Sequence, residues 1–395
     1  MEHKSPAPNA AAAWKVPRSK AHLFNQEIED RILQTIRPAL FGDYWEYPSL
    51  ILEFEKKFSL FVELDHVVAV QSGTAALIVA LKAAGLRPGD EVITVANSDM
   101  STTSAIVNCG ATPVFCDILA SDYTIDPQLV ESLISERTRG LLPVDLYGHP
   151  ANIKQLQQIA RRHGLFIVED AALATAARDF GLPMGAFADL VCFSTTSTKQ
   201  IGGIGSGGMV ATADQHLRER LELYRSYGLS SGLKRNLHAG SDQQVDGLNL
   251  QMTPVNAAVV TLKLAYLPAW TERRKQIARK YENRLRDIEG ITLATFRPES
   301  EPVRREFVLR VRDRDRVFDI LRERGIQAAL NYFPAAHQRE VYREQDLPGS
   351  DSLAVTEDTI RETLSLPIDP LLKENDIDYV CDNLIKAVRG QAGRS

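Results

Sequence analysis

Apolar and polar positions along the chain follow two rhythms that take turns. Short, nearly unbroken apolar runs read as strands: HVVAVQS at 66–72, DEVITVAN at 90–97, TPVFCDI at 112–118, TRGLLPVDLYG at 138–148 and LFIVEDAA at 165–172. Between them, apolar positions three and four apart predict helices over 73–86, 100–110, 127–136 and 153–164, each ending near a glycine. Such alternation builds a parallel sheet covered by helices on both faces. Two amphipathic helices, 25–40 and 48–62, precede it. Two further strand-like runs, joined by a turn of small residues, occupy 190–212. Beyond that the pattern turns helical, over 214–228 and in one long run over 254–290. The C-terminal part mixes a strand at 305–313 with helices at 316–325 and 375–390. The expected fold class is α/β: a mostly parallel central sheet covered by helices, with a smaller C-terminal α+β domain. The expected division is an arm over 1–22, mobile or wrapped on a partner, a large domain over 23–265 and a small one over 266–395.

Composition narrows the function classes. The 395 residues are 44% hydrophobic and 25% charged, with a net charge of −5, so nothing points to nucleic acid or an anionic membrane. Cys109, Cys116, Cys192 and Cys381 show neither C-x-x-C pairing nor metal-ligand spacing, which predicts no metal site and a reducing cytoplasm. No apolar run has transmembrane length, and the N-terminal alanine run is too short for a signal sequence.

Ligands of open α/β sheets gather where strands end and helices begin. Gly73 and Thr74 follow a strand and open a helix, a place that suits either an ordinary capped helix start or a phosphate. Asp170 ends an apolar strand; it reads equally as a cap or ion-pair partner and as a fixed anion facing a cationic ring nitrogen. The run FSTTSTKQIGGIGSGGMV places Lys199 among hydroxyls and glycines. Lys199 precedes the glycines, so this is no P-loop, and a strand follows them, so it is no dinucleotide fingerprint. Alone, Lys199 reads as a solvated lysine. A phosphate site, a strand-end carboxylate and a lysine in this order on one sheet are the layout that pyridoxal 5′-phosphate requires.

Several segments then amount to a resemblance: VVAVQSGTAALIVALKAAGLRPGDEVIT, GATPVFCDI, TRGLLPVDLYGHPANI, VEDAA, CFSTTSTKQIGG, GLNLQMTPVNAAV and LSLPIDP. Together they resemble the fold type I aminotransferases of the DegT/StrS class, the sugar aminotransferases, over nearly the whole chain after the arm. The resemblance implies that Lys199 forms an aldimine with pyridoxal 5′-phosphate and then shuttles the substrate proton. It implies that Asp170 pairs with the pyridine nitrogen, and that Gly73, Thr74 and Ser194 bind the phosphate. Asn249 matches an asparagine that reaches the phosphate from the neighbouring subunit, which implies a homodimer with shared active sites. Tyr332 and His337, in NYFPAAHQREVY, match a substrate-side loop.

Three positions depart from the family's pattern. Asp99 stands where an aromatic residue usually covers the ring, Leu173 replaces a glutamine near the cofactor, and Gln251 replaces an arginine. Together they point to a substrate or reaction off the family's main line. The leading expectation is amino transfer from glutamate or glutamine to a keto sugar, nucleotide-linked sugar or cyclitol. Elimination, epimerisation or cyclisation on an amino-acid-like substrate, with the same cofactor, is the alternative. A non-catalytic sensor that keeps the fold is a third reading, opposed by the intact Lys199, Asp170 and Ser194.

Overall fold

The computed structural model describes residues 14–43, 47–229 and 243–390. Its centre is a seven-stranded sheet: β1 (His66–Val70), β2 (Glu91–Val95), β3 (Thr112–Cys116), β4 (Thr138–Leu141), β5 (Phe166–Asp170), β6 (Leu190–Ser194) and β7 (Gly208–Thr212), ordered β1-β7-β6-β5-β4-β2-β3. β7 pairs antiparallel with both its neighbours, and the remaining pairs are parallel. Period-two alternation splits each strand between two cores. After α1 (Ala21–Glu27), α2 (Glu29–Phe41) and α3 (Tyr47–Val62), Val68, Val70, Val168, Cys192 and Val210 pack under α4 (Gly73–Ala83) and α5 (Met100–Asn108). Val67, Ala69, Val191, Phe193, Met209 and Ala211 pack with the Tyr47–Val62 helix. That two-sided burial explains the continuous apolar runs seen in the sequence.

Two expected elements are shorter than the pattern suggests. The strand at 138–148 stops at Leu141; Pro143 has no N–H to donate, and Leu146–Gly148 forms a single tight turn. The helix at 127–136 covers only Pro127–Val130 before tightening into a 3₁₀ turn. The long helix at 254–290 is two helices, Pro254–Leu264 and Leu267–Leu285. Pro268 sits in the first turn of the second, the place where its missing N–H costs nothing.

The C-terminal part builds an antiparallel three-stranded sheet from Ile291–Leu293, Phe307–Val311 and Thr363–Leu366. Helices Leu267–Leu285, Arg314–Glu323 and Glu374–Arg389 cover it through Ile277, Tyr281, Val317, Leu321, Val380 and Leu384. The N-terminal segment joins this layer. Val16 is fully buried in the same core, and its N–H donates to Gly325 O at 3.0 Å while its carbonyl accepts from Gln327 N at 3.0 Å. The part of the arm from residue 14 onward therefore packs on its own chain; residues 1–13 lie outside the described residues.

Candidate active site

The C-terminal ends of the parallel strands open on one cavity of about 670 Å³. Gly73, Thr74, Asp99, Asp170, Leu173, Ser194, Lys199 and Tyr332 all line it, brought together from residues 73 to 332 of the chain. At one end stands the N-terminus of α4. Ser72 caps it, its Oγ accepting from Ala75 N at 3.1 Å. The amides of Gly73 and Thr74 lie in the first turn, where no intrahelical carbonyl reaches them. A Cβ on Gly73 would come within 3.0 Å of Ser194 Cβ and 3.1 Å of its Oγ, so glycine lets this helix end close on the Ser194 hydroxyl.

Asp170, at the end of β5, is 4% exposed. Its Oδ2 accepts from the Thr102 hydroxyl at 2.9 Å and its Oδ1 from Ala172 N at 3.2 Å. Burial pushes its carboxyl above the usual range; Thr102, Ala172 and the charge of Lys199 pull against that. Lys199 shows the mirror image. Burial and then the Arg305 guanidinium hold its ammonium below the ordinary value, while Asp170, Asp99 and Glu306 oppose them. The result is an amine that loses its proton more readily than a solvated lysine and so becomes a nucleophile.

The turn that presents Lys199 is clamped from four directions. Asn256, 1% exposed, accepts from Ile204 N at 2.8 Å and donates to Ser206 O at 3.1 Å. Lys263 Nζ donates to Gly202 O at 2.8 Å, Gln200 donates to Leu173 O, and Arg305 donates to Thr198 O. A Cβ on Gly207 would fall 2.2 Å from Thr195 Oγ1 and 2.3 Å from Asn256 Nδ2, so the glycines exist to admit this clamp. The sequence carries no local sign of these partners; only an asparagine opening an otherwise apolar helix hints at Asn256.

Other cavity residues escaped the sequence reading for the same reason. Arg18 ion-pairs with Glu306, which also accepts from Asn331 Nδ2 at 2.8 Å, and Arg18 N donates to Gln327 Oε1 at 2.8 Å. These contacts hold Arg18 and Ser19 of the N-terminal segment in the cavity lining. Tyr332 stacks on Tyr147 at a centroid distance of 6.4 Å, and burial raises its phenol further above the ordinary value.

Among the departures, Asp99 caps α5: its Oδ1 accepts from Ser101 N at 3.0 Å and Ser101 Oγ at 2.8 Å. That is a structural use of a carboxylate at a helix start. Leu173 presents an apolar wall. Gln251 donates to the Ser226 hydroxyl at 3.2 Å. The structure does not bring Asn249 or His337 to the cavity. Asn249 is exposed, and His337 contacts Glu357 at 3.1 Å outside the lining.

A model of the DegT/DnrJ/EryC1/StrS aminotransferase family matches residues 26–385. The chain belongs to this family. It is 39% identical over 341 residues, 86% of each chain, to a dTDP-3-amino-3,4,6-trideoxy-α-D-glucose transaminase of Streptomyces venezuelae. It is 37% identical over 358 residues, 91% of this chain and 95% of the other, to the erythromycin biosynthesis sensory transduction protein EryC1 of Saccharopolyspora erythraea. The crystal structure of S. venezuelae DesV in complex with a ketimine intermediate superposes with a TM-score of 0.87 at 36% identity, covering 96% of this chain and 99% of that one. The fold is thus that of the type I sugar aminotransferases, and the protein is a pyridoxal phosphate-dependent aminotransferase. Its own residues fit the cofactor: unspent helix amides and a hydroxyl for a phosphate, a buried carboxylate, and a lysine of lowered proton affinity share one cavity.

Proposed function

We propose that this aminotransferase moves an amino group from glutamate or glutamine to the keto carbon of a nucleotide-linked sugar. The observation that carries the reading is the meeting of Lys199, Asp170, Ser194 and the α4 N-terminus in one cavity of about 670 Å³, room for a cofactor with a sugar beside it. When bound, pyridoxal phosphate supplies an electrophilic carbon and a ring that withdraws electrons from the substrate carbon losing its proton. Lys199 would hold the cofactor covalently and, with its amine free, would take and return the proton at the substrate carbon. Asp170 keeps the ring nitrogen protonated, because a carboxylate whose burial disfavours its charge is stabilised by a cation beside it. The Gly73 and Thr74 amides and the Ser194 hydroxyl take the phosphate. Tyr332 walls the substrate side and Leu173 the cofactor side of the same cavity.

Asn249 is exposed and lies away from its own cavity, which fits a phosphate contact made to a second copy in a homodimer. The enzyme works in the cytoplasm under this reading. All four cysteines are buried and unpaired, and no helix among the described residues is long and apolar enough to cross a membrane. The use of Asp99 as a helix cap supports plain transamination rather than a reaction redesigned around an extra acid.

The test is a pair of half-reactions on the purified yellow holoenzyme. Glutamate or glutamine converts the visible chromophore to the amine form of the cofactor, and a nucleotide-linked keto sugar restores it. A chromophore that neither donor bleaches, under conditions where another substrate turns over, would sink the proposal.

A further inference from the structure

The Lys199 turn has a second chamber on its other side. About 50 Å³ in volume, it shares Arg18, Lys199 and Arg305 with the main cavity but reaches into the seam between Pro254–Leu264 and Leu267–Leu285. That volume holds roughly three or four water-sized molecules. Its charge is one-sided: Arg18, Lys199, Lys263, Arg274 and Arg305 line it against one carboxylate, Asp369. Asp369 is engaged elsewhere, accepting from Lys20 N and Leu371 N, each at 2.9 Å.

The decisive group is Arg274. It is 7% exposed, it lines the chamber, and its Nη1 is buried with no hydrogen-bond partner; among the described residues it forms no ion pair. Arg305 Nε is likewise buried and unpartnered. Lys263, 3% exposed, has only the neutral carbonyl of Gly202. Burial and the Arg305 charge push Arg274 down to about 9 against the opposing charge of Asp369, which still leaves it charged near neutral pH. Buried charges are ordinarily paired, since desolvating an unpaired one is costly. Two buried cations, Arg274 and Lys263, converge on a small cavity with the half-buried Arg305, which lies 3.9 Å from Glu306 Oε1, and guanidinium N–H groups of both arginines remain free to donate to an anion.

We propose that this chamber binds one small anion, a carboxylate or an inorganic oxyanion, held by Arg274 and Lys263 with Arg305 at the side facing Lys199. The anion sits in a chamber that Lys199 also lines and offsets the Arg305 charge that acts on the lysine. The chemistry is shared by two sources, a free inorganic ion and the carboxylate of the amino donor. Neither depends on the identity of the sugar acceptor.

The experiment uses the holoenzyme, whose cofactor phosphate occupies the other anion site. Thermal unfolding is followed while inorganic phosphate, sulfate or acetate is titrated at constant ionic strength against a bulky sulfonate too large for the chamber. The wild type is expected to show a saturable rise in Tm. Arg274→Met is expected to lose that rise and to melt above the wild type without small anions, because the uncompensated charge is gone. Lys263→Met, a milder change, is expected to raise the half-saturating concentration several-fold. Phosphate that competes with glutamate in steady-state kinetics identifies the donor carboxylate as the natural occupant; inhibition indifferent to glutamate, or none, identifies the free ion. A wild-type Tm that tracks only ionic strength, or an Arg274→Met protein that keeps the full rise, overturns the proposal.

Discussion

Two adjacent acids at the end of β5, Glu169 and Asp170, face opposite sides of the same sheet and live in different chemistry. Asp170 faces the cavity, anchored by Thr102 and Ala172 with Lys199 near it. Glu169 is sealed on the other side with Asp145; the two are 1% and 0% exposed. Glu169 Oε2 accepts from Gly185 N at 2.8 Å and Asp145 Oδ1 from Ala151 N at 2.9 Å, which leaves one oxygen of each for the other. Burial raises the proton affinity of both acids, the Glu169 charge adds to it at Asp145, and the Asp145 hydrogen bond opposes it at Glu169, so the pair keeps a shared proton where free carboxyls would not. One acid awaits a cation that arrives with a ligand; the other is completed by a neighbour and a proton. Burial alone therefore does not mark a functional carboxylate. What marks it is an open partner position facing a cavity.

The sharpest way to break the contrast is on the cavity side. Lys199→Ala removes the covalent anchor and the proton carrier together, and kcat is expected to fall by about 10⁴-fold or more, with a colourless protein as the spectral check. Asp170→Asn keeps the shape but loses the charge facing the ring. A loss of roughly 10²–10³-fold in kcat is expected, at nearly unchanged thermal stability. On the sealed side the expectations reverse. Glu169→Ala leaves the Gly185 amide and an Asp145 oxygen buried without partners, a cost of about 1–3 kcal/mol for each unsatisfied group in denaturant titrations.

The smallest effect is a change of pH slope. The folded Asp145–Glu169 pair holds a proton that the unfolded carboxyls release at their ordinary values of 3.8 and 4.5. The folded state therefore binds more protons above that range. The pair's contribution is full below it and is lost as pH rises through the raised folded value. Asp145→Asn replaces the shared proton with an amide donor. Its stability is expected to decline less than the wild type's from acid to alkaline pH, with glutamate half-reaction rates little changed. Equal slopes for the two proteins would refute the shared proton.

The sequence showed the cavity side better than what supports it. Strand ends, the glycine-hydroxyl turn and the order of Gly73, Asp170 and Lys199 are local signals, and each lies where a parallel sheet exposes its carboxyl edge. Arg18, Arg305 and Asn256 left no such trace, because their roles arise from contacts with residues distant in the chain. The same holds for the packing of Val16 against Ile326, which turned the start of the chain into part of the C-terminal layer. The break in the long helix was legible at Pro268, but the apolar periodicity continues through it. Asp99 shows a position with two uses, since it lines the cavity and also caps a helix. A polar residue at an unexpected position invites a chemical reading, yet its carboxylate is engaged in capping the helix it precedes.

The central claim is that Lys199 is the covalent anchor. The direct measurement is borohydride reduction of the purified holoenzyme, followed by proteolysis and mass mapping of the pyridoxyl-modified peptide. The modification is expected on Lys199, within FSTTSTKQIGG, and to disappear after preincubation with the amino donor. A label on any other lysine, or none on a protein that still transfers amino groups, would contradict the account.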